Sequence, residues 1–301
     1  MSQKSYDNSP SVYLIPTPIG NLDDITKRSV DTLNFVDVIF CEDTRITGSL
    51  MSKLDIKKKL ISSNDHNEEN TKILAIELLD EGKNIGIVTD RGTPIISDPG
   101  YKIVEEAIKK GYNVIPLPGA NAFVPALIAS GLSTSHFMFY GFLNAKKSKR
   151  EKELELLKQI QFTIIFYEAP HRIIDMLDSI KLVLGNRNIS VSRELTKLHE
   201  EIYRGTVDEV IKELKCFEIK GEFVVVVEGN KQEIDFSNIS IEDHINLYLE
   251  DGKDLKEAMK MVAKDRNTTK SEIYKEYHRK WLYEINSWFR KSRKRIWKYK
   301  T

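Results

Sequence analysis

The sequence has few cysteines, no long apolar segment and almost no net charge. Its two cysteines, Cys41 and Cys216, lie far apart, so they provide neither a disulfide framework nor a cysteine metal site, as is typical of a reducing compartment. No apolar run approaches the roughly 20 residues that a membrane span needs. Residues 1–11 are polar and lack the apolar core of a signal peptide. We therefore expect a cytoplasmic protein without a membrane segment.

Motifs for pyrophosphate-containing ligands are also missing. The pattern G-x-G-x-x-G does not follow the first apolar run, and no Gly-Lys-Ser/Thr sequence occurs, which argues against NAD, FAD and ATP. His66, His171 and His199 are not at metal-ligand spacing, so we expect no metal site. The chain is 41% hydrophobic and 30% charged, values typical of a globular protein with a sizeable core.

The order of apolar and amphipathic segments predicts two α/β domains and a helical unit. Short apolar runs alternate with helical patterns over residues 12–131, which predicts a parallel sheet covered on both faces. Residues 136–230 predict a second α/β domain with a mixed sheet. Three short helices are predicted over 241–283, and they suit either a helix-turn-helix module or a small bundle used for packing or dimerisation.

Positive charge is concentrated in two places. Residues 285–301 contain seven basic residues and no acid, so residues 1–284 carry a formal charge of −6 in a chain of net charge +1. Aromatic residues are interleaved in this basic tail, which indicates contact with a polyanion such as nucleic acid; the alternative is a solvated terminus. Residues 144–150 form a second basic segment, predicted as a linker before a helix over 151–160.

The loop from Thr89 to Gly100 carries the clearest functional signal. It follows the apolar run Ile85–Val88 and precedes a helical pattern over Tyr101–Lys110. Such strand-to-helix loops usually contain only about 2–6 residues, whereas this one is longer and rich in Gly, Pro and Asp. Glycine permits close backbone approach to a ligand, so the loop is predicted to bind one.

Further polar loops are predicted at the same edge of the sheet. They are Pro16–Asn21, Glu42–Arg45, Asp65–Glu68 and Pro118–Asn121, with Tyr167–Arg172 and Arg193–Glu201 facing them from the second domain. Polar loops at the carboxyl ends of successive strands, opposite a second domain, predict a cofactor cleft. The last of the first-domain loops is predicted to open a helix that ends at Gly131.

Several long motifs in this order match one known family. They are Leu14–Leu22, Cys41–Arg45, His66–Glu68, Asp90–Gly100, Pro118–Gly119, Phe166–Arg172 and Arg193–Lys197. On these motifs the chain closely resembles the bacterial small-subunit ribosomal RNA (cytidine) 2′-O-ribose methyltransferases, a branch of the tetrapyrrole methylase superfamily. The resemblance covers about Val12 to Gly229, and the terminal helical unit also looks like the appendage of this branch.

The resemblance implies a two-domain, non-Rossmann (class III) methyltransferase fold that holds S-adenosylmethionine in the cleft. The implied reaction transfers methyl to the ribose 2′-hydroxyl of a cytidine in the decoding region of the ribosomal RNA. The implied partners are the small ribosomal subunit and a second copy of the chain, because family members typically act as homodimers. No DNA or membrane partner is expected.

Site residues follow partly from the resemblance and partly from the chemistry. By similarity, the cofactor pocket is lined by Pro16, Pro18, Gly20, Asp90, Gly92, Thr93, Pro94, Pro118, Ala120 and Tyr167. Because a ribose hydroxyl is a poor nucleophile, a general base is expected, with Asp43, His66 and Glu68 as candidates. Arg45, Arg172 and Lys197 are candidates for holding phosphate or orienting the hydroxyl.

Two departures from the family pattern and two alternative functions stay open. Arg91 stands where this branch usually has a small residue, and Ser63–Asn64 replaces a more aromatic, histidine-containing pair. One alternative is a methyltransferase of tetrapyrrole precursors, which does not account for the helical unit or the basic tail. The other is a catalytically silent ribosome-assembly factor that binds RNA.

Overall fold

The computed structural model describes residues 3–279 except residues 6, 65, 217, 232–235 and 237–238. The chain divides into two compact units, Met1–Asn230 and Lys231–Thr301. The predicted basic tail over 285–301 and the end of the predicted helical unit lie outside the described residues. No helix in the described ranges is both long and apolar enough to cross a membrane.

The first sheet is parallel throughout. Its strands are β1 (Ser11–Leu14), β2 (Val38–Cys41), β3 (Lys59–Ser62), β4 (Ile85–Val88) and β5 (Asn113–Pro116), in the spatial order β3-β2-β4-β1-β5. Both faces are covered by apolar clusters, which explains why the central strands lack polar alternation. All five strands therefore end at the same edge, where the predicted ligand loops lie.

Four helices connect the strands of the first sheet, and a fifth leads from β5 to the second sheet. They are α1 (Lys27–Phe35), α2 (Thr44–Lys53), α3 (Glu68–Asp80), α4 (Tyr101–Lys110) and α5 (Phe123–Ala129). Helix α5 begins later than the sequence suggested, because residues 118–122 form an open loop. The Asn121 side chain accepts a hydrogen bond from the backbone N–H of Val124 at 3.0 Å, and this contact fixes the start of the helix.

The second sheet is mixed, as the sequence predicted. Its strands are β6 (Phe137–Phe142), β7 (Thr163–Glu168), β8 (Asn188–Arg193), β9 (Glu201–Thr206) and β10 (Phe223–Val227), in the order β6-β7-β10-β8-β9. Only β6 and β7 pair in parallel. Helices α6 (Lys147–Leu157), α7 (Ile173–Leu184) and α8 (Val207–Leu214) contribute with it to one large apolar cluster.

The predicted linker over 144–150 is wrong in part, because α6 begins at Lys147. Arg150 explains the difference. Its side chain is only 3% exposed, and its guanidinium donates to the Asp175 carbonyl at 3.1 Å and to the Ser179 hydroxyl at 3.0 Å on α7. These long-range contacts favour a helical first turn, and lysine is itself a good helix former.

The second compact unit, in its described part, contains three helices. They are α9 (Ile241–Glu250), α10 (Leu255–Asp265) and α11 over 270–279. A capping box starts α11, since the Thr269 hydroxyl accepts from the Glu272 N–H and the Glu272 carboxylate accepts from the Thr269 N–H. Ile245, Met259, Val262 and Ile273 form its core.

Candidate active site

A cavity of about 520 Å³ opens at the carboxyl edge of the first sheet, against residues of β6, β7 and β10. Its volume lies within the about 300–1,000 Å³ usual for cofactor sites. The apolar wall consists of Ile19, Ile46, Ile96, Phe142, Phe223 and Val224. Five carboxylates and one arginine also line it, so the cavity combines an apolar surface with a net negative charge: Glu42, Asp90, Asp98, Glu168, Glu222 and Arg91.

Backbone contacts tie the loops around this cavity together. Thr17 and Gly92 exchange two backbone hydrogen bonds, at 2.9 and 3.0 Å, which joins the loop after β1 to the loop after β4. The Thr93 hydroxyl donates to the Ala120 carbonyl at 3.0 Å, which adds the loop after β5. Gly92 has φ +90°, a conformation that favours glycine.

The structure brings part of the predicted cofactor set to the cavity surface. Asp90, Gly92, Thr93 and Tyr167 line it directly. Six others, which do not line it, lie in the same loops: Pro16, Pro18, Gly20, Pro94, Pro118 and Ala120. Pro16 packs against the loop after β5, because a side chain at Gly119 would collide with the Pro16 ring.

Tyr167 is fixed as part of the wall. Burial raises the pKa of its phenol to about 12, so the hydroxyl stays protonated at neutral pH. Backbone groups of Ala122 and Phe123, at the start of α5, hydrogen-bond to that hydroxyl. The ring contacts Phe139 and Phe142 edge-on, at centroid distances of 4.9 and 5.6 Å. Tyr167 therefore shapes the cavity and links β7 to α5.

Asp98 is the site residue that reasoning from the sequence did not single out. Burial, with a smaller contribution from the charge of Asp90, raises the pKa of the Asp98 carboxyl to about 6. A hydrogen bond to Thr89 opposes this rise. The only sequence signal was its position in the Thr89–Gly100 loop, before Pro99. Ser97, with φ 65°, marks the turn just before it.

A second chamber of about 480 Å³ adjoins the first. The two share Glu42, Ser97 and Asp98, and the second is also lined by Asn64 and His66. Asp98 therefore lies where the chambers meet. Of the three predicted bases, His66 is the one that contributes to either chamber wall.

Comparisons with known proteins identify the family. The family model for Tetrapyrrole (Corrin/Porphyrin) Methylases matches residues 11–211, which is more than half of the chain. The chain belongs to this family. Among its relatives, "Ribosomal RNA small subunit methyltransferase I" of Bacillus subtilis (strain 168) is 49% identical, covering 89% of this chain and 94% of the relative. The protein of the same name from Escherichia coli O157:H7 is 41% identical, covering 90% and 96%.

Solved structures of other methyltransferases share the fold at low identity. The methyltransferase CobJ superposes with a TM-score of 0.56 at 19% identity, covering 73% of this chain and 95% of that one. Uroporphyrin-III-C-methyltransferase from Thermus thermophilus gives 0.53 at 18% identity, covering 72% and 94%. The two-domain tetrapyrrole-methylase fold expected from the sequence is thus confirmed.

Tetrapyrrole methylases use S-adenosylmethionine, and the cavity suits this cofactor. The cluster of Glu42, Asp90 and Asp98 fits a ligand with a cationic sulfonium, while the apolar wall fits a flat adenine ring. At Gly92 a side chain would come within 3.2 Å of Ile19 Cγ2 and 3.6 Å of the Ala120 carbonyl oxygen. Gly92 therefore leaves space beside its backbone, and any larger residue would fill that space.

Asp43 and Glu68, two of the candidate bases, are occupied by structural contacts. Hydrogen bonds and charge from Arg45 lower the pKa of the Asp43 carboxyl to about 2, and the same carboxylate accepts the Arg45 N–H at the start of α2. Glu68 accepts the backbone N–H groups of Gly100 at 3.1 Å and Lys102 at 3.3 Å. It therefore caps α4 and anchors the end of the Thr89–Gly100 loop.

Replacing Glu68 with alanine is expected to cost about 0.5–2 kcal/mol of unfolding free energy, because α4 loses its cap. The rate of methyl transfer at saturating substrates should stay within about tenfold of wild type. Glu69→Ala is the matched control and should cost less than about 1 kcal/mol, since the exposed Glu69 carboxylate pairs, among the described residues, with the half-buried Lys72 and Lys102. Urea unfolding and single-turnover rates measure both. Unchanged stability with a rate loss beyond about 100-fold would instead make Glu68 the base.

The predicted basic residues lie in ion pairs around the cavity. Lys197 donates to Glu194 at 2.7 Å and to Glu222 at 2.9 Å. Arg91 pairs with the same Glu222, which lines the cavity. The Arg91 side chain thus connects the loop after β4 to the segment before β10, and this contact explains how the larger residue is accommodated. Arg172 donates to the Leu143 carbonyl at 2.6 Å.

Proposed function

We propose that the protein transfers methyl from S-adenosylmethionine to the ribose 2′-hydroxyl of a cytidine in the decoding region of small-subunit ribosomal RNA. The observation that carries the proposal is the pair of chambers that meet at Asp98. One chamber suits the cofactor, and the other is polar and open enough for a ribose. Relatives that carry a ribosomal RNA methyltransferase name cover most of this chain, which supports the choice of substrate.

S-adenosylmethionine would supply an electrophilic methyl group on a positively charged sulfur. The chain's first task is orientation, which can provide about 7–11 kcal/mol towards the barrier of such a displacement. The Thr17–Gly92 and Thr93–Ala120 contacts set the cofactor loops before any ligand arrives. The carboxylates of Asp90 and Asp98 favour the cationic donor in the cavity.

The second task is removal of the hydroxyl proton. Asp98 and Glu42 both line the two chambers, and the Asp98 carboxyl, with its pKa of about 6, is suited to accept a proton near neutral pH. At pH 7 it is mostly ionised, yet it is a stronger base than Asp43, whose pKa is about 2. His66 and Asn64, in the second chamber, are positioned to hold the nucleotide. We assign the base to Asp98 and a substrate-orienting role to His66.

The protein is further proposed to act as a cytoplasmic homodimer on the small ribosomal subunit. The resemblance to the ribosomal RNA methyltransferases supports this proposal. Sedimentation equilibrium gives the oligomeric state directly, and a monomer at all concentrations would remove the dimer from the proposal.

The proposal predicts one labelled nucleotide after incubation with radiolabelled S-adenosylmethionine and unmodified small ribosomal subunits. We expect label at a single cytidine, on a ribose that resists alkaline cleavage because its 2′-hydroxyl is blocked. The Asp98→Asn variant is the control, because it lacks the proposed base. Label on a nucleobase would contradict the ribose assignment, and transfer only to a tetrapyrrole precursor would support the first alternative function. Cofactor binding without any transfer would support the silent assembly factor.

A further inference from the structure

Three exposed lysines, Lys146, Lys149 and Lys152, lie at the start and on the first two turns of α6. We refer to them as the α6 lysines. Their neighbour Lys147 pairs with Glu151 at 3.8 Å. For the α6 lysines themselves, the structure shows no ion pair with any residue that it describes. Three cations close together therefore face solvent without a partner in this part of the chain.

The first of the α6 lysines, Lys146, follows the cavity wall closely in the chain. Strand β6 ends at Phe142, which lines the cavity and is 53% exposed. Lys146 follows Phe142 by four positions, a chain length of at most about 14 Å. An exposed aromatic ring beside a group of cations is the combination that single-stranded nucleic-acid sites use.

The segment that carries these lysines is held in place. The Arg150 guanidinium donates to the Ala145 carbonyl at 3.2 Å, in addition to its contacts with α7. The Asn144 backbone N–H donates to the Glu153 carboxylate at 2.9 Å, and the Asn144 side chain accepts the Lys146 N–H at 3.0 Å. Because a buried arginine fixes this turn, the lysines start from a defined position, which lowers the ordering cost of binding.

Lys146 and Lys149 do not stabilise the start of α6. The first turn of α6 contains no acidic residue, and Lys146 makes no side-chain cap. Cations near a helix N-terminus oppose the helix dipole, whereas α8 has acids and a capping box at the same place. This unfavourable interaction with the helix dipole favours a role for the lysines in binding a partner outside the chain.

We propose that the α6 lysines bind the phosphate backbone of single-stranded RNA next to the nucleotide whose ribose enters the cavity. This inference rests on the proposed function, and it adds the path of the RNA from the cavity over the start of α6. Lysine binds phosphate as a point charge without reading the base. The surface should therefore contribute affinity and salt dependence, with little sequence preference.

The test compares two triple variants in binding a fluorescein-labelled, single-stranded RNA oligonucleotide. One variant is Lys146→Gln/Lys149→Gln/Lys152→Gln. The control is Lys57→Gln/Lys58→Gln/Lys59→Gln, which removes the same charge at the opposite edge of the first sheet, where β3 begins. Fluorescence anisotropy is recorded between 0.05 and 0.5 M salt, at about the ionic strengths where phosphate contacts dominate.

Three lost phosphate contacts should lower the slope of log affinity against log salt by about 2. Because the lines converge near 1 M salt, affinity at 0.1 M should fall about 100-fold. The control should keep the wild-type slope, and calorimetry should show unchanged S-adenosylmethionine affinity for both variants. If wild type binds the RNA and the α6 variant matches the control, this inference alone fails. If wild type does not bind the RNA, the proposed function fails with it.

Discussion

Replacing Asp98 with asparagine is expected to lower the rate constant for methyl transfer by about 10²–10⁴-fold, the usual contribution of a positioned base. Asparagine keeps the shape of the side chain and an oxygen for the Thr89 contact, but it cannot accept the ribose proton at neutral pH. The affinity for S-adenosylmethionine should change much less than the rate. Single-turnover kinetics and calorimetry separate the two effects.

The pH dependence gives a second signature of the same residue. The base must be ionised, so kcat/KM of the wild type should rise with pH through about 6 and level off above it, following the pKa of the Asp98 carboxyl. In the Asp98→Asn variant this inflection should disappear. A variant that keeps both the wild-type rate and the wild-type profile would show that another group accepts the proton.

The Asp98→Asn substitution should raise the free energy of unfolding while it lowers the activity. The folded-state pKa of Asp98, about 6, lies above the ordinary aspartate value of 3.8, so the group favours the folded state below pH 3.8 and loses that contribution as pH rises through 6. At pH 7 the buried charge is therefore destabilising. Asp98→Asn should raise the unfolding free energy by about 1–3 kcal/mol at pH 7, measured by urea unfolding. A residue with a purely structural role would lower it.

The sequence was sufficient to locate the cavity because a parallel sheet places all its carboxyl-end loops at one edge. Loops Pro16–Asn21 and Thr89–Gly100 meet there through the Thr17–Gly92 bridge. It was not sufficient to rank the acids within those loops. Glu68 and Asp98 look alike in sequence, and their roles depend on contacts across the chain: Glu68 bonds to Gly100, whereas Asp98 is half-buried where the two chambers meet.

Helix α6 shows the same limit at the level of secondary structure. Four basic residues over 144–150 read as a solvated linker, because no apolar periodicity marks a helix there. One of them, Arg150, is buried against α7 and holds the first turn, while its neighbours stay exposed. Local sequence could not distinguish the buried arginine from the exposed lysines, since that difference arises only when α6 packs on α7.

Replacing Gly92 with valine is expected to weaken S-adenosylmethionine binding by at least about 100-fold. The glycine has φ +90°, where a β-branched residue is strained by about 1–3 kcal/mol. Its side chain would also start 3.2 Å from Ile19 Cγ2 and 3.6 Å from the Ala120 carbonyl oxygen. The loop can relieve the strain and the crowding only by leaving its paired position opposite Thr17. Cofactor binding must then restore that position, and each 1.4 kcal/mol needed to do so lowers the affinity tenfold.

Gly82→Val is the matched control, because Gly82 has φ +83° but no atom within 4 Å of an added side chain. It therefore carries the same backbone strain without crowding a ligand loop. Both variants should lose about 1–3 kcal/mol of unfolding free energy, whereas only Gly92→Val should lose cofactor affinity in calorimetry. Since both variants carry the same strain, a difference in their affinity for S-adenosylmethionine measures the effect of lost space beside Gly92. Equal affinity in the two variants would mean that the cofactor does not touch the Thr89–Gly100 loop.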